Sequence, residues 1–266
     1  MNFLSKILSI PLSILVWIFV AIMSTVLVLA VLLLKPFDPD QKKFSYKIPN
    51  LWGYLIYKAN PFWQFDVLDA DRIRPDQGYV IVANHKSLSD IICMHLLQKN
   101  FKWVAKESLF RIPVMGWGMA LVNYIPLERG QHGSIKTSYA KAIKWLDDDV
   151  SVVIFPEGIR IKGDQFGSFK NGAFKLAIEA KKPIIPVVLH NTSQTMAKGS
   201  IAMALKVEVK IQVLPPVSTD GYEIQDFGKL RDCVLGIMEN EYFHRGKEKV
   251  ESAKSKAESE PLKTVD

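Results

Sequence analysis

Apolar positions follow three different rhythms along the chain. From Ile7 to Leu34 the segment ILSIPLSILVWIFVAIMSTVLVLAVLLL carries no charged side chain. Residues 12–34 alone make a helix of roughly 35 Å, enough to cross a hydrocarbon core of about 30 Å. A cleaved signal peptide is the rival, but its apolar region is normally about 7–15 residues and ends at a small-x-small site. No such site precedes Lys35. The pattern predicts a retained membrane anchor over residues 1–34.

After Gly78 the rhythm changes. YVIVA (79–83), KWVA (102–105), SVVIF (151–155) and PIIPVVL (183–189) are apolar at consecutive positions, as strands covered on both faces are. Between them lie helical patterns: SDIICMHLLQK (89–99), then Ile135, Tyr139, Ile143 and Leu146, then Phe174, Leu176, Ala177 and Ile178. This alternation predicts an α/β fold, a mainly parallel sheet covered by helices on both faces, with an N-terminal membrane helix. LKVEVKIQVL (205–214) alternates polar and apolar residues and is expected at a sheet edge, exposed on one face.

The remaining stretches divide the chain. Residues 35–75 read as an interfacial connector, in which IPNLWGYLIYKANPFWQF (48–65) suits either the headgroup level of a membrane or a protein core. Residues 76–245 form the main domain. From Gly246 the sequence GKEKVESAKSKAESEPLKTVD has five basic and five acidic side chains and almost no large apolar ones, which predicts a disordered polar tail over 246–266.

Charge and cysteine content narrow the classes. Thirty-four basic against 27 acidic side chains give a net charge of +7, which favours anionic partners in general. The lysines form no basic stripe with interleaved aromatics, so no nucleic acid partner is expected. Lys35, Lys42, Lys43 and Lys47 outnumber Lys6 across the apolar segment, which puts the main domain on the cytoplasmic side. Two cysteines, Cys93 and Cys233, are too few for a disulfide framework or a metal cluster.

Chemistry is expected where strands end and helices begin, since ligand sites of open parallel sheets collect there. YVIVANHKSLSDI (79–91) places His85 at such a junction, with Asp90 five residues on. Two readings compete. Ser87 followed by Asp90 is a capping-box pattern that would start a helix without any chemistry. Alternatively, a carboxylate holding one ring nitrogen leaves the other able to take a proton from a hydroxyl. No G-x-S-x-G nucleophile elbow occurs, so that hydroxyl would belong to the substrate.

Further junctions carry cations. NYIPLERG (123–130) ends in Glu128 and Arg129, and VIFPEGIRIKGDQFGSFKNGAF (153–174) passes through Glu157, Gly158 and Arg160. Two arginine forks at neighbouring strand ends would clamp a phosphate, with Lys106 and Lys162 adding charge; each alone is otherwise a solvated surface residue. His95 reads as a packed or partly exposed helix residue, and Cys93 as a small buried hydrophobe. KWLDDD (144–149) points its carboxylates in different directions, and no metal is expected.

Taken in order, NHKSLSD, YIPLERG, FPEGIR and PIIPVVL resemble the four blocks of the glycerolipid acyltransferases of the lysophosphatidic acid acyltransferase type, over roughly residues 50–245. The resemblance implies His85 as general base and Asp90 as the carboxylate that orients it. It implies Arg129, Glu157, Gly158 and Arg160 as binding residues for a phosphorylated glycerol acceptor, and it sets Pro186 at a position linked to the acyl site or to packing near it, of which the structural role is preferred. Two positions depart from the pattern: Ile159 stands where threonine is usual, and Glu128 where aspartate is.

The expectation is therefore a membrane-bound O-acyltransferase. It would move a fatty acyl group from an acyl thioester, acyl-CoA or acyl-carrier protein, to the free hydroxyl of 1-acyl-sn-glycerol 3-phosphate, giving phosphatidic acid without any cofactor. Lysophospholipid and membrane lipid are the expected partners. Another lysolipid or glycerol 3-phosphate is the alternative acceptor, and a non-catalytic lipid-binding membrane protein is the alternative of another class.

Overall fold

The computed structural model describes residues 3–39, 43–196, 199–200 and 202–259; Lys42 and the end of the expected tail, 260–266, lie outside them. Seven strands form one sheet: β1 (Trp63–Leu68), β2 (Val80–Ala83), β3 (Phe101–Lys106), β4 (Ile125–Leu127), β5 (Ser151–Ile154), β6 (Ile184–His190) and β7 (Val207–Val213). Their spatial order is β1-β7-β6-β2-β5-β3-β4, and every pair is parallel except β6 with β7.

Among the described residues seven α-helices cover it: α1 (Phe3–Leu34), α2 (Lys47–Ala59), α3 (Ser89–Leu96), α4 (Met115–Leu121), α5 (His132–Asp147), α6 (Gly172–Glu179) and α7 (Phe227–Ser259). Strand side chains alternate between faces. Ile81, Val153, Ile185 and Val187 therefore pack with α1, α2 and α3 on one side, and Val80, Val82, Val152 and Ile184 with α5, α6 and α7 on the other. All four residues of β2 are fully buried, which is why its sequence shows no alternation.

Three expectations are corrected. β7 is not an edge strand: it lies between β6 and β1, with Trp63 opposite Val207. Its alternating pattern comes from a partly open face, on which Glu208 is exposed. The edge strands are β4 and β1, and β1 lies with α2 inside the stretch read as a connector. Beyond Gly246 the chain continues as α7 to Ser259 rather than as a disordered tail, in keeping with the helix propensity of its Lys, Glu and Ala residues.

α1 does not stand apart from the domain. Ser13 Oγ accepts the Met203 N–H (2.8 Å), Ser24 Oγ accepts the Trp52 indole N–H (2.9 Å), and Val16 and Val31 are buried. Contact with the domain thus runs along about 27 Å of helix axis. The opposite stripe, Ile14, Ile18, Ile22, Val26, Leu29 and Leu33, is exposed.

Candidate active site

β2 delivers the site. Beyond Ala83, Asn84 continues the sheet with its side chain: Nδ2 donates to Leu189 O (2.9 Å) and Oδ1 accepts the Leu189 N–H (2.8 Å). This fixes the start of the 84–88 loop. The Asp90 carboxylate, fully buried on the first turn of α3, closes that loop. One oxygen, Oδ2, accepts from His85 Nδ1 (2.7 Å), Lys86 N (2.7 Å) and Ser87 N (2.8 Å).

The capping box is only half formed: Asp90 accepts the Ser87 N–H, but α3 begins after Leu88 with no side-chain cap, and the Ser87 hydroxyl pairs with Thr195 Oγ1 (3.0 Å). Asp90 Oδ2 gathers the backbone N–H groups ahead of a helix and holds the imidazole. Because a carboxylate only accepts, Nδ1 carries the proton and Nε2 keeps its lone pair. The His85 ring stacks on Phe155 (centroids 4.1 Å apart, planes 8° apart) and is only 16% exposed.

His85 lines a cavity of about 280 Å³. The remaining wall is mostly apolar: Leu27, Val28 and Val31 of α1, Trp52 of α2, Trp103 of β3, and Met115, Met119 and Val122 in and beside α4. Arg129, Gly158 and Lys106 also line it. A carboxylate-held imidazole, a cationic side chain and an apolar recess thus meet at one mouth. Gly158 has φ +72°, and a Cβ there would come within 3.2–3.3 Å of the Arg129 guanidinium. The positive φ favours glycine, and a larger side chain would push the guanidinium aside.

Glu157 is turned away from the cavity. Its Oε1 accepts the His85 N–H (3.1 Å) and its Oε2 the Gly167 N–H (3.2 Å), and burial raises its pKa above the usual glutamate value. It braces the base from behind. Arg160 is half-buried on the same loop and is not among the residues lining the cavity. Pro186 is buried in β6, opposite Val82.

Lys86 was not singled out by sequence. Its Nζ donates to Gly163 O (2.7 Å) and Gln165 O (2.8 Å), over the rings of Phe166 (5.9 Å) and Tyr242 (5.3 Å). Ile161 N donates to His85 O (2.8 Å). The 161–167 loop is thereby stitched to the histidine loop from both sides. Burial lowers the Lys86 pKa, opposed by the negative charges of Glu157, Asp164 and Asp90.

His95 is fully buried, its Nδ1 donating to Asn50 Oδ1 (3.1 Å), and burial lowers its pKa to about 3. It lines the inner wall of the cavity as a neutral ring. Cys93 is buried, and burial pushes its thiol well up. Among the described residues no group of three or more His, Cys, Asp or Glu is placed to hold a metal ion.

A histidine held by a carboxylate at the carboxyl end of a central parallel strand, opening on an apolar recess, is an arrangement suited to group transfer. The sequence profile of the Acyltransferase family matches residues 64–190, from β1 to the end of β6, and the chain belongs to that family. The chain is 33% identical over 183 residues to a chloroplastic 1-acyl-sn-glycerol-3-phosphate acyltransferase of Arabidopsis thaliana, covering 68% of this chain and 51% of that one. It is 34% identical over 177 residues to the mouse 1-acyl-sn-glycerol-3-phosphate acyltransferase alpha, covering 65% and 61%. The chain thus spans about half to three-fifths of the length of these two curated relatives.

The crystal structure of the 1-acyl-sn-glycerophosphate acyltransferase PlsC from Thermotoga maritima has the same fold. It matches with TM-score 0.78 over 90% of this chain and 96% of that one, at 23% identity.

Proposed function

We propose that this chain transfers a fatty acyl group from an acyl thioester, acyl-CoA or acyl-carrier protein, to the free hydroxyl of 1-acyl-sn-glycerol 3-phosphate, giving phosphatidic acid. The observation that carries the reading is the 2.7 Å contact of His85 Nδ1 with Asp90, on a ring that faces an apolar cavity beside Arg129.

In this mechanism Nε2 of His85 takes the proton from the acceptor hydroxyl as its oxygen attacks the thioester carbonyl. Asp90 stabilises the imidazolium that forms. The tetrahedral intermediate expels the thiolate, which recovers the proton from His85. No cofactor takes part. The acyl chain lies in the apolar recess, and Arg129 holds the acceptor phosphate so that the hydroxyl meets the base. Lys106, exposed at the mouth, adds charge there. Gly158 gives Arg129 room, Glu157 steadies the loop, and Arg160 contributes to the field around the phosphate.

The membrane placement follows from α1. A helix clasped by its domain along most of its length would, if it stood across the bilayer, drag polar loops into hydrocarbon. It lies instead along one leaflet, with the Ile14 to Leu33 stripe among the lipid chains and the catalytic domain on the cytoplasmic side. The acceptor and the product both reside in that leaflet.

A charge-assisted guanidinium–phosphate contact is worth about 1.5–3 kcal/mol, or roughly 10- to 150-fold. Arg129→Ala is therefore expected to raise KM for lysophosphatidate by at least about tenfold and to leave turnover of a monoacylglycerol, which lacks the phosphate, unchanged. Equal losses on both acceptors would contradict the assignment.

A further inference from the structure

The segment after β3 has two apolar faces and no charge from Ile112 to Leu127. It comprises a short 3-10 turn (Glu107–Arg111) and α4. Its inner face, with Leu109, Gly118 and Met119, lines the cavity. Its outer face exposes Ile112 (43%) and Trp117 (60%), while Met115 (41%) lines the cavity and is exposed at its rim. A patch of large apolar side chains on one short element marks an interaction surface.

What covers that patch is indicated by its neighbour. α4 packs on α1, where a Cβ at Gly118 would come within 2.9 Å of Val28 Cγ2. At about 100° per residue, Val28 sits on the border between the buried stripe of α1 and its exposed stripe. The outer face of α4 is therefore continuous with Leu29, Leu32 and Leu33, all more than half exposed.

The turn that sets this orientation is held under strain. Val114 has φ 63° and ψ −61°, with Met115 N donating to Pro113 O (2.7 Å). This is a positive-φ γ-turn, which a β-branched residue adopts only where its surroundings impose it.

We propose that the outer face of α4, with Ile112 just before it, is a second membrane-contacting surface, embedded in the lipid chains of the same leaflet as α1. It forms the wall between the acyl cavity and the bilayer. The inference rests on the leaflet placement of α1. An acyl chain held against Leu109 and Met119 is then separated from the leaflet by the thickness of one two-turn helix. The newly esterified chain has its shortest path into the membrane across that helix.

The test uses the full chain with Cys233→Ser, since Cys93 is buried. Single cysteines at positions 117, 29 and 136, the last on exposed α5 surface, carry a polarity-sensitive fluorophore. Each protein is bound to phosphatidylglycerol–phosphatidylethanolamine vesicles with nitroxide on the lipid chains. Quenching at 117 is expected to match that at 29 within about twofold and to be absent at 136. Quenching at 29 with none at 117 would overturn the surface and point to a protein partner, a second copy included, covering α4. Quenching at 117 alone would uphold the α4 contact and refute the placement of α1, whereas none at either position would refute both. Unlabelled protein gives an independent readout: lipids brominated on their chains should quench wild-type fluorescence more than that of Trp117→Phe, and equal quenching would overturn the proposal.

Discussion

Replacing Lys86 by methionine removes an ammonium that holds the 161–167 loop against the His85 loop. Two charge-assisted hydrogen bonds are lost, to Gly163 O at 2.7 Å and Gln165 O at 2.8 Å, each worth about 1.5–3 kcal/mol. Against that loss of roughly 3–6 kcal/mol stands relief of the cost of desolvating an ammonium, itself several kcal/mol. The Ile161–His85 and Gly167–Glu157 bonds also survive. A net weakening of about 1–3 kcal/mol is left, or roughly 5- to 150-fold in the population of the ordered loop.

That loop leads out of the Gly158–Arg160 segment, so the effect falls on the acceptor. In steady-state acylation of lysophosphatidate, Lys86→Met should raise acceptor KM at least about fivefold and leave KM for the acyl thioester within about twofold. Lys86→Arg, which keeps the charge, should recover part of the loss. A purely structural lysine would lower stability and leave this split unmoved. Acceptor kcat/KM within twofold of wild type in a folded Lys86→Met protein would refute the reasoning.

Two more outcomes are expected. Gly118→Val puts methyl groups where α4 meets Val28 and into the cavity wall, so turnover of long-chain relative to medium-chain acyl thioesters should fall several-fold; an unchanged ratio in a folded protein would separate this cavity from the acyl chain. His95 is buried as a neutral ring with its pKa at about 3, below the unfolded value of about 6.5. Its contribution to stability is therefore present above pH 6.5 and lost as pH falls below it, at about 1.4 kcal/mol per pH unit while the folded ring stays neutral. Melting in detergent at pH 7 and pH 5 should show a smaller drop for His95→Leu than for wild type; equal drops would mean that His95 gains a proton as easily folded as unfolded.

The central layer was legible because each buried strand announces itself by consecutive apolar residues, as in Val80–Ala83, and each covering helix by apolar residues three and four apart. The edge was not. β1 alternates Trp63 and Phe65 with Gln64 and Asp66 over six residues inside an aromatic stretch, a pattern equally suited to a membrane interface. At the site, sequence placed His85, Asp90, Arg129 and Gly158 but left the direction of the side chains open. Glu157 and Lys86 turn toward backbone, not outward, and that is decided by the path of a loop up to 79 residues away in sequence. Likewise, His95 looked like an ordinary helix residue because its partner Asn50 lies 45 positions upstream. The apolar recess beside His85 is assembled from α1, α2, β3 and α4, four segments whose apolar residues carry no mark of being cavity rather than core. The Ser87–Asp90 pattern suggested a capping box, but the carboxylate is spent on the imidazole and on the loop N–H groups of Lys86 and Ser87, while α3 starts after Leu88 without a side-chain cap.

The most direct measurement is acyl transfer by His85→Ala. Membranes holding wild-type or variant protein at equal amounts receive a labelled long-chain acyl thioester and lysophosphatidate, and labelled phosphatidic acid is followed. A positioned general base contributes about 10²- to 10⁴-fold, so wild type should form phosphatidic acid and His85→Ala should form it at least about a hundredfold more slowly, with the protein folded and membrane-bound. Equal rates from both would contradict the account and leave the 84–90 loop as a helix start alone.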